Sequence, residues 1–429
     1  MNLATIPRQF FRSELVRGSV LLLAGFTTLN ALNYVFQLIM GRMLGPIDYG
    51  TMAALLSVFI VFGVPASTMS TIVTKFTCDY KAKDNFTSVF SLLAKMSKGL
   101  LWLGVAICAF FIFGGSLLAS FLKIPTVLPI VLLGILFLYY FPAVINDAVL
   151  RGLLKFPFLS ANSVLSGILK LGISVLLVYL GLNVAGVIVA ILVSYLIPYL
   201  ITFLPLRFLW RHKADGASLH WKEIVSYAIP AFSSNLGLML MITMDVILVK
   251  HFFDPHQAGL YSALAVVGKI IVFISSPVTM VMFPLVAERY AKGGAYKRIF
   301  LQTLLIISAS SLILIAIYFL FPESLLNLFF GAEYLPAAPY LGWFGIFIFL
   351  YALCTVISQF FLSIEKTGII YLTLLAAVMQ IVLITLYHSS FTQVITISTA
   401  VTLLLFLGLL VYFLKQTRDE TKSTASVYN

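Results

Sequence analysis

The sequence predicts an all-α polytopic membrane protein: twelve transmembrane helices in two pseudo-symmetric six-helix bundles around a central cleft. Three observations lead there. Of the 429 residues, 61% are hydrophobic and only 10% charged, whereas a water-soluble domain carries about half apolar and about a quarter charged residues. Mean hydropathy is +1.08. Twelve apolar stretches follow one another along the chain, each close to the about 20 residues a helix needs to cross the hydrocarbon layer. This composition excludes a water-soluble enzyme, a secreted domain and a nucleic-acid binder. The net charge of +12 does not restore the last of these, because no polar face exists on which basic residues could form a footprint. Cys78, Cys108 and Cys354 lie far apart and lack metal or redox spacing.

The elements follow in order. Span one, 18–41, is too long for a cleaved signal peptide. It carries Thr27, Asn30, Asn33 and Gln37 at spacings that share one helical face. Span two, 51–73, comes after the turn GPIDYG, and span three is 99–122. The segment before it, 85–98, mixes Phe86, Val89, Phe90, Leu92 and Leu93 with Lys95 and Lys98, a pattern expected to lie in the membrane interface. Span four, 127–149, ends with Asp147, and Arg151 follows at i+4, the orientation of a local structural pair. Span five, 157–180, holds Lys170 about 20 Å along its length, with Ser163, Ser166 and Ser174 near it around the helix. Span six, 183–206, closes the first half. The polar run RFLWRHKADGASLHWKE, 207–223, is a basic cytoplasmic linker that separates an N-terminal bundle, 1–206, from a C-terminal bundle, 224–429, with its tail. Span seven, 224–249, carries Asp245, and span eight, 259–286, carries Lys269 near mid-membrane. Spans nine to twelve are 299–321, 340–363, 368–388 and 393–414, with Gln359 and Gln380 as further amides. Pro65, Pro142, Pro198, Pro230 and Pro277 fall inside spans and predict kinks.

Charge gives the orientation. Of the 27 Lys and Arg, 22 fall on the side that holds both termini, three (Arg42, Lys123, Lys250) on the other, and Lys170 and Lys269 within spans. By the positive-inside rule both ends are cytoplasmic, and the excess charge forms a collar facing anionic lipid head groups. A shift of 209 residues lays GPIDYGTMAALLSV (45–58) on DPHQAGLYSALAVV (254–267), pairing Pro46 with Pro255 and Gly50 with Gly259. Each half has an even number of spans, so this is a parallel repeat whose axis runs along the membrane normal.

At these residues the chain resembles a known family. GRMLGPIDYGTMAALLS is similar to the first external loop of the oligosaccharide flippases (Wzx-like), the polysaccharide-exporter branch of the multidrug/oligosaccharidyl-lipid/polysaccharide (MOP) superfamily. MDVILVKHFFDPHQAGLYSALAVVGKI, VMFPLVAERY (281–290) and FGAEYLPAAPYL (330–341) resemble further landmarks of that family. The resemblance covers essentially the whole chain. It implies a MATE-like fold and the transport of a lipid-linked oligosaccharide, usually on a polyprenyl pyrophosphate, across the cytoplasmic membrane for surface polysaccharide biosynthesis.

Within that reading Lys170 and Lys269 are candidates for a cationic lining that offsets the pyrophosphate; the alternative is a structural pair, Lys269 with Asp245. Asp245 is a candidate for Na⁺ or H⁺ coupling or for positioning Lys269, and no cofactor is called for. Asn30, Asn33 and Gln37 are candidates for hydrogen bonds to sugar hydroxyls, or for interhelical glue. The expected partners are the lipid-linked glycan, membrane lipids and other polysaccharide-assembly proteins, with no nucleic acid. A cation-coupled multidrug antiporter of the same superfamily is the alternative, but it would carry an acid deep in its first half, where span one has amides. A membrane-embedded glycan polymerase or ligase would need an external catalytic region, and the segment 322–339 holds no acid–base pair.

Overall fold

A computed structural model describes residues 14–211, 221–292, 294, 296–364, 366, 368 and 370–427. The tail residues Arg8 and Arg12, the linker centre 212–220 and the side chain of Pro230 lie outside them. The described residues form helices α1 (Glu14–Ala82), α2 (Phe86–Phe113), α3 (Gly115–Phe121), α4 (Leu128–Gly152), α5 (Phe156–Tyr179) and α6 (Asn183–Leu206), which runs into a 3-10 turn, Arg207–Arg211. They continue with α7 (Trp221–Phe252), α8 (Pro255–Gly268), α9 (Ile270–Ala291), α10 (Tyr296–Leu320) and α11 (Pro322–Phe329). After a 3-10 stretch, Ala332–Tyr340, come α12 (Leu341–Ser363), α13 (Ile370–Leu386) and α14 (Phe391–Val427). No strand occurs among the described residues. Hydrocarbon offers the backbone no hydrogen-bond partner, so a spanning chain must satisfy itself within each helix.

Ten helical segments among the described residues are long and apolar enough to cross a membrane. The first, Ala24–Ala82, runs 59 residues and is divided at Gly45, whose φ of 69° and ψ of 173° are not helical. Glycine takes that conformation at no steric cost, and Pro46 then opens the second piece with its φ already set for a helix. Counting those pieces separately and adding the shorter apolar α13 gives the twelve spans that the sequence predicts. Residues 85–98 depart from the interfacial expectation. They form the first half of the continuous α2, capped by the Asn85 side chain accepting from the Ser88 amide. Val89, Leu92, Leu93 and Met96 are buried, because α2 packs along α4 and that packing takes the apolar face that lipid would otherwise cover.

The described residues group into two compact units. One comprises Met1–Asp48 with Phe62–Ala228, the other Tyr49–Val61 with Ile229–Asn429. The start of span two therefore packs with the second unit although its neighbours in sequence belong to the first. There Gly50 meets Gly259 so closely that a Cβ on Gly50 would lie 2.7 Å from the Gly259 amide nitrogen. These are the two glycines that the internal repeat pairs. Tyr49, beside them, is fully buried with Phe330 and Tyr334, its ring edge-on to both at 5.3 and 6.2 Å.

In the first unit α4 packs on α2 and α6, and α5 lies along α6. Phe62, Phe111, Phe137 and Phe141 fill its core, with neighbouring rings 5.2 to 5.8 Å apart. The α5–α6 seam follows from one proline. Pro198 has no N–H, so the Ser194 carbonyl loses its helical donor. Ser166 of α5 supplies the replacement, its hydroxyl donating to that carbonyl at 2.8 Å. One residue-turn away, Asn162 donates to the Pro198 carbonyl at 3.3 Å, and Asn146 of α4 donates to the Thr202 hydroxyl at 2.8 Å. The proline thus fixes a polar seam in an apolar bundle.

In the second unit span eight is broken. The helix stops at Gly268, turns at Lys269 and restarts at Ile270. Tyr318 donates to the Val267 carbonyl at the break, 2.7 Å away, as an interrupted helix requires. Gln380 donates to the Met241 carbonyl and the Ser398 hydroxyl, both at 3.1 Å, and so serves as glue between α7, α13 and α14.

The proline account makes a double-mutant prediction. Ser166→Ala should destabilise the detergent-solubilised protein by about 1 kcal/mol, read as a lower thermal midpoint. In a Pro198→Ala background, where residue 198 regains its amide donor, the same change should cost almost nothing. An equal loss in both backgrounds would show that Ser166 acts by packing instead.

Candidate functional site

The first unit contains a cavity of about 170 Å³ beside Lys170. Four helices build its wall. Helix α5 contributes Asn162, Ser163, Ser166 and Lys170 on one face; α1 contributes Phe26 and Asn33; α4 contributes Asp147; α6 contributes Tyr195, Tyr199 and Thr202. The α5 residues share a face because positions four and seven apart stack along a helix.

Lys170 is half-buried, donates to the Asn33 side-chain oxygen and lies 4.4 Å from the centre of the Phe36 ring. An amide oxygen and a ring face both attract a cation without neutralising it. The lysine is thus held while its charge stays available to a ligand. Asn162 Oδ1 and Asp147 Oδ1 are buried in the same region without a hydrogen-bond partner. The cavity therefore offers one cation, one carboxylate, an unspent amide oxygen and several hydroxyls inside a membrane-spanning bundle.

Asp147 differs from the local pair that its spacing suggested. Among the described residues no ion pair joins it to Arg151. The guanidinium turns instead to the Ser70 hydroxyl, 3.5 Å from Nη1, and to the Phe26 ring, 5.7 Å away. Spacing of i, i+4 brings two side chains to one face but does not choose between each other and better partners on neighbouring helices. Arg151 still acts on Asp147 through space.

The other candidates are distributed unevenly. Asn33 and Lys170 meet. Asn30 is exposed and Gln37 half-buried, and neither lines this cavity. Lys269 and Asp245 belong to the second unit. Asp245 is fully buried and its Oδ2 accepts from the Tyr261 hydroxyl at 3.0 Å. Lys269, half-buried at the break in span eight, is near enough to exert an electrostatic effect on that carboxylate, although no ion pair between them forms among the described residues. Lys250, which the charge pattern counted on the external side just past span seven, lies within α7, which runs to Phe252, and is only 1% exposed. Tyr195 and Tyr199 were not singled out from the sequence; their signal is the i, i+4, i+7 spacing of Tyr195, Tyr199 and Thr202 along span six.

The sequence profile of the family described as polysaccharide biosynthesis protein matches residues 39–339. The chain belongs to that family. No curated protein sequence matches it. Among solved structures, this family member is similar to a multidrug resistance MATE transporter of the MOP superfamily in its inward-facing conformation, with 16% identity over 91% of this chain and 96% of that one and a TM-score of 0.70. It is also similar to the lipid II flippase MurJ in an inward closed conformation, at 13% identity over 90% and 87% and a TM-score of 0.68. A third is a MOP superfamily transporter from Pyrococcus furiosus, described as having a binding pocket of reversed polarity that suggests a different function, at 17% identity over 92% and 94% and a TM-score of 0.65. The fold is therefore that of the MOP transporters, as the sequence predicts.

The cavity's mixed charge can be tested by itself. Asp147→Asn removes an anion that repels any anionic ligand near Lys170, and should strengthen binding of inorganic pyrophosphate to the purified protein by about fivefold or more. Calorimetric titration of both proteins reads this directly; unchanged or weaker binding would mean that Asp147 does not share the ligand's space.

Proposed function

We propose that this protein is a flippase that carries a lipid-linked oligosaccharide, joined to its polyprenyl carrier through a pyrophosphate, across the cytoplasmic membrane for surface polysaccharide assembly. It works by alternating access, exposing its site first to one membrane face and then to the other, and it makes and breaks no covalent bond. The observation that carries this reading is Lys170. A lysine within the hydrocarbon layer costs about 2.5 kcal/mol or more, and this one spends its hydrogen bond on a neutral amide rather than a counter-ion. A multiply charged pyrophosphate supplies what it lacks. The polysaccharide biosynthesis family and the likeness to a lipid II flippase support the same reading.

In this proposal Lys269 also takes part in binding the substrate, and Asn30, Asn33 and Gln37 supply hydrogen bonds to the head group. Asp245 either binds a coupling Na⁺ or H⁺ or positions Lys269. The expected partners are the lipid-linked glycan, surrounding anionic lipids and the proteins of polysaccharide assembly. One observation favours the multidrug antiporter instead: Asp147 lines the cavity, supplying the acid that such a protein would use, on the fold of a MATE transporter. Transport of a lipophilic cationic dye, with none of the lipid pyrophosphate, would select that reading.

In reconstituted vesicles, Lys170→Ala and Lys269→Ala should each lower flipping of a fluorescent polyprenyl pyrophosphate oligosaccharide by about tenfold while folded yield is kept, and the Arg variants should retain part of the rate. Asp245→Asn should remove the response to an imposed proton or sodium gradient under ion coupling, or lower folded yield under structural pairing, with Lys269→Met restoring it. Normal flipping by both Ala variants would defeat the electrostatic mechanism. For orientation, cysteine labelling in cells should find residue 215 on the cytoplasmic side and residue 334 outside; labelling of both from one side would overturn the twelve-span topology.

A further inference from the structure

Span six carries an aromatic series that the charge-based account does not use. Tyr195 and Tyr199 line the cavity. Tyr199 meets Phe203 edge-on with ring centres 5.0 Å apart, and Phe203 meets Trp210, tilted, at 5.9 Å. These residues recur at i, i+4 and i+8, so they climb one side of α6. The 3-10 turn Arg207–Arg211 then tightens the chain and brings Trp210 back over Phe203. From residue 195 to residue 210 the series covers about 22 Å of helix rise.

Two features separate it from ordinary packing. The rings are not sealed in the core: Tyr195, Tyr199 and Phe203 are half-buried and Trp210 is 57% exposed. Nor is this the lipid face of the helix, which Leu200 and Leu204 mark at 55% and 73% exposure, about 100° around from Tyr199 and Phe203. An interfacial aromatic belt accounts for Trp210, but not for tyrosines that line a cavity beside a cation.

We propose that the Tyr195–Tyr199–Phe203–Trp210 face is a stacking track for the sugar rings of the cargo, leading from the pyrophosphate site at Lys170 toward the linker end of span six. This rests on the flippase reading and adds to it how the glycan, as distinct from its anchor, is held. The chemistry fits. The C–H faces of a pyranose carry partial positive charge and lie against the electron-rich face of an aromatic ring. Such contacts tolerate many sugars, whereas hydrogen bonds to hydroxyls would fix one stereochemistry. Their spacing along the helix lets a chain of sugars exchange one ring for the next without a deep minimum. Arg207 and Arg211, flanking Trp210 in the same turn, suit a cargo that enters with its anionic linkage.

The test compares two cargoes in vesicles holding the full-length protein: a polyprenyl pyrophosphate bearing a short hexose oligosaccharide, and the same lipid without sugar. The double variant Phe203→Leu/Trp210→Leu, at rings outside the Lys170 cavity, should lower flipping of the sugar-bearing lipid about tenfold and leave the sugar-free lipid unchanged. Phe203→Tyr alone, which keeps the ring, should behave as the parent. Lys170→Ala should lower both cargoes alike, which separates failure of the pyrophosphate site from failure of the track. Equal loss of both cargoes in the double variant would assign these rings to packing and overturn the proposal. So would an unchanged rate for the sugar-bearing lipid, or a parent protein that moves neither cargo.

Discussion

A lysine ammonium placed in a bilayer must be hydrated, paired or coordinated by dipoles, and the first unit is organised around the last of these. Lys170 takes the Asn33 amide oxygen and the Phe36 ring face as neutral partners. For them to be in reach, α1 must lie against α5, and α5 must hold one orientation. Pro198 sets that orientation from the far side: by removing a donor from α6 it creates a carbonyl that Ser166 satisfies, and Ser166 is one helical turn from Lys170. The charge, Asn33 of span one and the proline of span six are therefore one arrangement.

The second unit applies the same constraint differently. Its charge sits where the helix itself is interrupted, at Lys269 between α8 and α9. A backbone break inside a membrane is tolerated when a side chain takes the freed carbonyl, and Tyr318 does so. Tyr261, about two turns earlier on the same span, binds Asp245, so the break and the buried acid are mechanically linked through one short helix. The start of span two, docked on that helix at Gly50 and Gly259, ties the loop region of one repeat to that of the other.

Much of this was legible in the sequence, for identifiable reasons. Span lengths follow from bilayer thickness, and a lone charge in an apolar run is conspicuous, so the twelve spans, Lys170 and Lys269 stand out directly. The internal repeat paired Gly50 with Gly259 as equivalent positions; that the two also pack together shows only in the structure. Asp147 was read as the partner of Arg151 because sequence shows which side chains share a helix face, not what a neighbouring helix offers them. Lys250 was placed just beyond span seven by the span count, and its burial within a helix that runs on to Phe252 shows only in the structure. Tyr195 and Tyr199 were hidden by abundance, since aromatic residues make up 14% of this chain and spacing alone does not mark the two that face a cavity.

The central claim is that Lys170 receives the pyrophosphate of a lipid carrier. Electron cryomicroscopy of the protein with a polyprenyl pyrophosphate lipid bound tests it most directly. The account predicts phosphate density within hydrogen-bonding distance of Lys170 Nζ, with the ammonium drawn away from Asn33. Phosphate density elsewhere, with the Lys170–Asn33 bond intact, would contradict it.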